Sequence, residues 1–321
     1  MNFHLNYNPP ISAAKISHLQ TIFMMGSCFA ENIGQYLNNY KFKCEINPNG
    51  ILFNPISLSS ALHSYLINST EYSIVKNNDL FFSLNHHGVF GFKHEEELVN
   101  EIKASQQKAN SHIKKSDWLI ITFGSAFVYR YIKTGHIAAN CHKIPASEFT
   151  KELLKPEGIV ATYKILISDL KKNNPSLNIL FTVSPVKYLR DGLVENNLSK
   201  SILIQSVHEI INSNENCFYF PAYELVNDDL RDYRFYKEDL AHPNKQALKY
   251  VWEKFSETYF SSDTKKINER INEIVQAAHH RPLKEFSNNH NEFKKGYLIK
   301  CTELEKEFEF LDFSEEKLKF Q

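Results

Sequence analysis

Four short apolar runs punctuate the chain: Ile22–Met25, Trp118–Phe123, Asn178–Val183 and Cys217–Phe220. Each is rich in Ile, Phe or Val, as expected of parallel strands buried on both faces. The stretches between them carry helical patterning over Phe29–Tyr40, Ser57–Ile67, Glu95–Lys115, Pro156–Lys172, Leu198–Asn212 and Asn244–Phe260. Pro156 sits in a first turn, where its missing N–H costs nothing. In the fifth stretch Leu198, Ile202, Ile204, Val207 and Ile211 recur at near-helical spacing. Strands alternating with helices predict an α/β protein, a doubly wound three-layer α/β/α sandwich with a largely parallel sheet.

Two departures interrupt the alternation. Leu80–Leu84 and Val89–Phe92 flank Asn85-His86-His87-Gly88 as the arms of a hairpin, and Val128–Ile132 and His136–Asn140 flank Lys133-Thr134-Gly135 in the same way. Insertions of this kind in sheet loops commonly build pockets. From about residue 261 the composition turns charged and helical. The expected organisation is a main domain over residues 1–260 and a helical C-terminal extension over 261–321 packed on it.

A chain of 321 residues with 42% hydrophobic content can bury a sizeable core. Lys+Arg and Asp+Glu both number 37, so no charge excess points to nucleic acid. The longest apolar runs are strand-sized, which argues against a membrane span. The polar stretch Met1–Pro10 has no signal-peptide pattern, so the expectation is a cytoplasmic protein. The cysteines Cys28, Cys44, Cys141, Cys217 and Cys301 are scattered, without disulfide or zinc spacing. His86-His87 and His279-His280 fall in no metal-ligand frame, so neither metal nor cofactor is expected.

The chemistry is concentrated in two places. The first apolar run ends at Gly26-Ser27-Cys28, which places two nucleophile-capable side chains at the mouth of a helix. Unpaired N–H groups and the positive dipole end there favour a thiolate or an oxyanion. Equally, Ser27 could serve as an N-cap and Cys28 as a small buried residue. Far downstream, Asp239-Leu240-Ala241-His242 spaces a carboxylate so that it can hold an imidazole within one turn. The competing reading has Asp239 capping the helix that starts near Asn244. Ahead of it runs Asp228-Asp229-Leu230-Arg231-Asp232-Tyr233-Arg234-Phe235-Tyr236, in which Asp232 and Arg234 could brace a pocket wall by ion pairing.

Met25-Gly26-Ser27-Cys28-Phe29-Ala30-Glu31-Asn32-Ile33-Gly34 resembles the signature of the GSCFA family. The likeness continues through Asn47–Pro55, Thr122–Tyr129, Asn140–Pro145, Thr182–Val186 and Arg231–Pro243. The resemblance implies the SGNH hydrolase superfamily, mostly esterases on a flavodoxin-like sandwich. On that pattern Cys28 occupies the nucleophile position of the Gly-Asp-Ser block, and a one-residue shift restores Ser27. Asp239 and His242 match the Asp-x-x-His block. Gly50 matches the oxyanion-donor glycine and Gly124 the glycine of Gly-x-Asn-Asp, whose asparagine is absent. Asn140 or His142 could replace that donor, whose loss can cost roughly 10²–10³ in rate. The implied activity is hydrolysis of an ester on a small molecule or saccharide. The alternatives are an acyltransferase or an inactive ligand-binding protein on the same fold.

Overall fold

The computed structural model describes residues 5–69, 71–280 and 288–321. The chain enters through β1 (Thr21–Gly26), α1 (Cys28–Asn39), β2 (Lys43–Ile46) and α2 (Pro55–Ile67). Strands β3 (Ile74–Asn77), β4 (Leu80–Ser83) and β5 (Gly91–Phe92) precede α3 (Glu95–Ile113) and β6 (Trp118–Phe123). Next come β7 (Phe127–Tyr131), β8 (Ile137–Ala138), β9 (Phe149–Leu153), α4 (Pro156–Asn173), β10 (Asn178–Val183), α5 (Leu193–Asn212) and β11 (Cys217–Phe220). The single turn α6 (Ala222–Glu224), a π-helical stretch at Leu225–Leu230, and α7 (Lys245–Tyr259) complete this part. Helices α8 (Ser262–Ala278), α9 (Asn288–Glu307) and α10 (Ser314–Phe320) end the chain.

The central sheet runs β11-β10-β6-β1-β2 and is parallel throughout. Counted within the sheet this is the order 2-1-3-4-5 of flavodoxin-like doubly wound folds. Period-two alternation divides its side chains between two cores. Phe23, Met25, Leu119, Ile121, Ile179 and Phe181 pack toward Leu58 and Leu62 of α2, Ile159 and Tyr163 of α4, and Leu203 and Val207 of α5. Ile22, Met24, Trp118, Ile120 and Leu180 pack toward Phe29 and Ile33 of α1 and Val251, Trp252 and Phe255 of α7. The strands read as continuous apolar runs because both faces are covered, and the architecture is a three-layer α/β/α sandwich.

The four anticipated strands are present, as are both hairpin pairings: Phe81↔Phe92 across β4 and β5, and Tyr129↔Ala138 across β7 and β8. Three further strands lacked a clear signal. β2 is Lys-Cys-Glu-Ile on the sheet edge, while β3 and β9 extend the hairpins into three-stranded sheets. In the tail, Ile271, Ile274, Cys301, Leu304, Leu311, Phe313 and Phe320 form their own apolar cluster. That cluster meets the main body where Phe310 stacks on His18 and the Lys41 ammonium meets the Glu316 carboxylate at 2.8 Å.

Candidate active site

β1 ends at Gly26, whose φ of +150° no L side chain adopts readily. A Cβ there would lie 2.4 Å from the Thr122 carbonyl oxygen on the neighbouring strand, so only glycine fits. The Asn47 side chain accepts the Gly26 N–H at 2.8 Å and locks the bend. Ser27 is the N-cap of α1, its Oγ accepting the Phe29 N–H at 3.3 Å. Cys28 is the first helical residue, and its own N–H has no intrahelical acceptor.

Ser27 and Cys28 line a cleft of about 200 Å³ together with Phe53, Gly124, Ser184, Tyr188 and His242. The cleft lies beyond the carboxyl ends of β1, β6 and β10, where strand order reverses. Ligands of open α/β sheets bind at such positions. Gly124 allows the close approach there: a Cβ on it would meet Phe53 Cβ at 2.8 Å and Ser27 Cβ at 3.5 Å.

One carboxylate builds the histidine loop. Asp239 Oδ1 accepts the N–H groups of Ala241 and His242, both at 2.9 Å, and Oδ2 lies 2.7 Å from His242 Nδ1. The bonds from the His242 N–H, the Ala241 N–H and the His242 ring hold the Asp239 carboxyl down to about 2. Asp239 is therefore an anion at any working pH. With Nδ1 committed to it, Nε2 is the nitrogen left for chemistry. The loop turns through Leu240 at φ +54° and is anchored by Lys237 N–H to His242 O (2.7 Å) and Lys187 N–H to Ala241 O (3.0 Å). Asp239 does not cap the following helix; Asn244 does, accepting the N–H groups of Gln246 and Ala247. The pairing of Asp232 with Arg234 forms at 2.9 Å on the surface. Beside it the Lys187 ammonium lies 4.1 Å and 3.9 Å from the ring centres of Tyr233 and Tyr236.

The other anticipated donors are engaged elsewhere. Gly50 lines a neighbouring cleft, and its N–H is given to Asn47 O at 2.7 Å in a tight turn. Gly124 lines the Ser27–Cys28 cleft, but its N–H goes to Phe53 O at 2.7 Å. Asn140 Oδ1 accepts the His142 N–H, and the buried His142 ring stacks on Phe82 and bonds Ser83 O at 2.8 Å. Neither Asn140 nor His142 lines the cleft. Among the described residues, no hydrogen bond joins His242 to Ser27 or Cys28.

Two lysines were not legible as site residues. Lys187 lines the cleft. Lys200 on α5 is buried, with Nζ donating to Gly124 O at 2.6 Å and Ser184 O at 2.7 Å. Burial pushes the Lys200 ammonium down to about 7, with Cys28 pulling the other way. Burial likewise lifts the Cys28 thiol above its ordinary range; its own N–H, the Lys237 ammonium and the Phe29 N–H oppose the rise, and Glu31 adds to it.

Two family models match the chain: GSCFA family over residues 21–255, and GSCFA domain protein, C-terminal domain, over residues 271–321. The first spans well over half of the sequence, and the chain belongs to the GSCFA family. A search of curated proteins found no match. No helix among the described residues is long and apolar enough to cross a membrane.

Proposed function

We propose that this GSCFA protein hydrolyses an ester bond by way of an acyl-enzyme, as its resemblance to SGNH hydrolases implies. The observation that carries the reading is the 2.7 Å clamp of Asp239 on His242 Nδ1, at a cleft that His242 shares with Ser27 and Cys28. Cys28 is the better nucleophile of the two. Ser27 is only 5% exposed and spends its oxygen on the helix cap, whereas Cys28 is more open. Its thiol, held high by burial, needs a base, and His242 Nε2 is the base at hand.

In the reaction the thiol proton passes to Nε2 as sulfur attacks the carbonyl carbon. The imidazolium, steadied by ionised Asp239, then protonates the leaving alkoxide. Water, activated by His242, releases the acid. The N–H of Cys28 at the helix end is the nearest oxyanion donor, since Gly50 and Gly124 have committed theirs.

A second reading, a ligand-binding protein without chemistry, is favoured by those committed donors and by the lack of a formed His242–nucleophile bond. Hydrolysis of p-nitrophenyl acetate and butyrate by wild type, Ser27→Ala, Cys28→Ser and His242→Ala decides between them. We expect Cys28→Ser and His242→Ala each to lose on the order of 10³-fold or more in kcat/KM. Ser27→Ala should lose about tenfold or less through its weakened cap. Wild-type rates no higher than those of His242→Ala would favour the binding protein.

A further inference from the structure

We infer that the substrate is an amphiphilic ester: its apolar acyl chain lies past Ile51 in a second cavity walled by the β4–β5 hairpin, and its polar alcohol lies past Lys187. Both placements rest on the proposed ester hydrolysis and name its substrate class.

The cleft that holds Cys28 and His242 continues in two directions. Ile51 lines it and also a neighbouring cavity of about 460 Å³. Lys187 lines it and also a third cavity of about 340 Å³. Among the described residues, these two flanking cavities share no lining residue. Volumes of this size suit parts of a small-molecule ligand.

The two cavities differ in chemistry. The one past Ile51 is walled by Ile46, Pro48, Val89, Phe90 and Phe92. Val89 is 67% exposed, a large apolar side chain left open at a cavity wall. The hairpin is held against the Asn47–Gly50 turn: His87 N–H donates to Asn49 O at 2.8 Å, and a Cβ on Gly50 would meet His87 Cβ at 2.4 Å. The polar groups of this wall are already provided for. Asn47 Oδ1 is spent on the Gly26 N–H, and Glu31 and Glu101 stand exposed to water. Burial, opposed by Glu31, lowers the His87 pKa, so its ring is neutral at pH 7. An aliphatic chain leaves water on entering such a space. The cavity past Lys187 instead presents Asn227, Asp228, Arg231, Asp232 and Tyr233, donors and acceptors of mixed charge that suit hydroxyl groups.

The direction of proton transfer decides which half of the ester lies where. As the tetrahedral intermediate collapses, the C–O bond breaks, its electron pair stays on the alcohol oxygen, and His242 Nε2 gives that oxygen its proton. The alcohol therefore leaves on the His242 side. Lys187 stands on that side, its N–H given to Ala241 O at 3.0 Å, and Tyr236 of the same cavity pairs with Pro243. The acyl carbon stays on Cys28 sulfur. Glu31, one turn beyond Cys28 on α1, lines the cavity past Ile51, so that cavity borders the sulfur side. Nothing is oxidised or reduced.

The test is kcat/KM for p-nitrophenyl acetate, butyrate, hexanoate and octanoate, with ethyl and octyl acetate as esters whose chain is on the alcohol, in wild type, Val89→Glu and Ile51→Trp. In wild type the acyl series should rise about threefold per methylene, and octyl acetate should gain less than about tenfold over ethyl acetate. Val89→Glu and Ile51→Trp should each cut the octanoate-to-acetate ratio by about tenfold or more. A flat acyl series, a larger gain from the alcohol chain, or an unchanged ratio in both variants would overturn the inference and leave ester hydrolysis standing. If no ester is turned over, binding of 1-octanol measured by titration calorimetry decides. Octanol bound by wild type and about tenfold or more weaker in Val89→Glu would contradict the proposed function and leave the apolar site standing. Octanol bound equally by both proteins, or by neither, would overturn the site as well.

Discussion

At the residue scale, single contacts shape the site. Gly26 joins a bend at φ +150° to a backbone approach that admits no Cβ. Gly26→Ala must push β1 away from Thr122 or abandon the bend. We expect a loss of about 1–3 kcal/mol of stability in urea unfolding, with Cys28 displaced from the cleft. A Gly26→Ala protein as stable as wild type would show that the bend is not rigid. Asp239 and His242 were legible because a three-residue spacing brings carboxylate and imidazole together whatever lies around them. The oxyanion donors were not, because a backbone N–H is available only if no carbonyl reaches it, and spacing says nothing of that. Asn47 O reaches Gly50 and Phe53 O reaches Gly124.

At the element scale, the strands buried on both faces were readable and the edge strand was not. β1, β6 and β10 announce themselves as apolar runs, whereas β2 buries Glu45, paired with Lys108 at 2.7 Å, between two half-buried apolar residues and so shows no apolar run. Helix α5 shows the complementary failure. Its apolar spacing from Leu198 suggested one face, yet the face turned inward carries Asn196, Ser199, Lys200, Leu203, Ser206 and Val207. Leu198 is 49% exposed. A helix that serves the cleft floor buries polar groups beside apolar ones, so hydrophobic periodicity found Val207 and the partly buried Ile202, Ile204 and Ile211 but passed over Asn196, Ser199 and Lys200.

The hairpin module carries a second buried titratable group. His86 is buried against Phe90, with Nδ1 2.8 Å from Ser83 Oγ. Burial, with a smaller effect from His142, lowers its pKa to about 3. The unfolded chain takes up this proton below about pH 6.5 and the folded chain does not until about pH 3. Stability from this residue is therefore lost as pH falls through that window. Between pH 7 and pH 5 wild type should lose up to about 2 kcal/mol more than His86→Phe in urea unfolding. Equal losses would show that His86 is protonated in the fold.

At the scale of the whole molecule, one sandwich positions the chemistry and a helical tail packs beside it. The Ser27–Cys28 turn, the cleft floor and the histidine loop come from residues far apart in the chain, and they converge because β1, β6 and β10 lie side by side with all their carboxyl ends at one edge. That convergence was legible in outline from alternating strands and helices. The tail's contacts through His18, Lys41, Phe310 and Glu316 were not, since they join the turns before β1 and after α1 to residues more than about 270 positions away. The most direct test of the central claim, an acyl-enzyme on Cys28, is the intact mass of the protein quenched in acid after mixing with p-nitrophenyl acetate. An added 42 Da, on the order of one acetyl group per chain, should appear in wild type, map to the peptide bearing Cys28 and be absent from Cys28→Ser. Ester hydrolysis without any adduct, or an adduct that persists in Cys28→Ser, would contradict it.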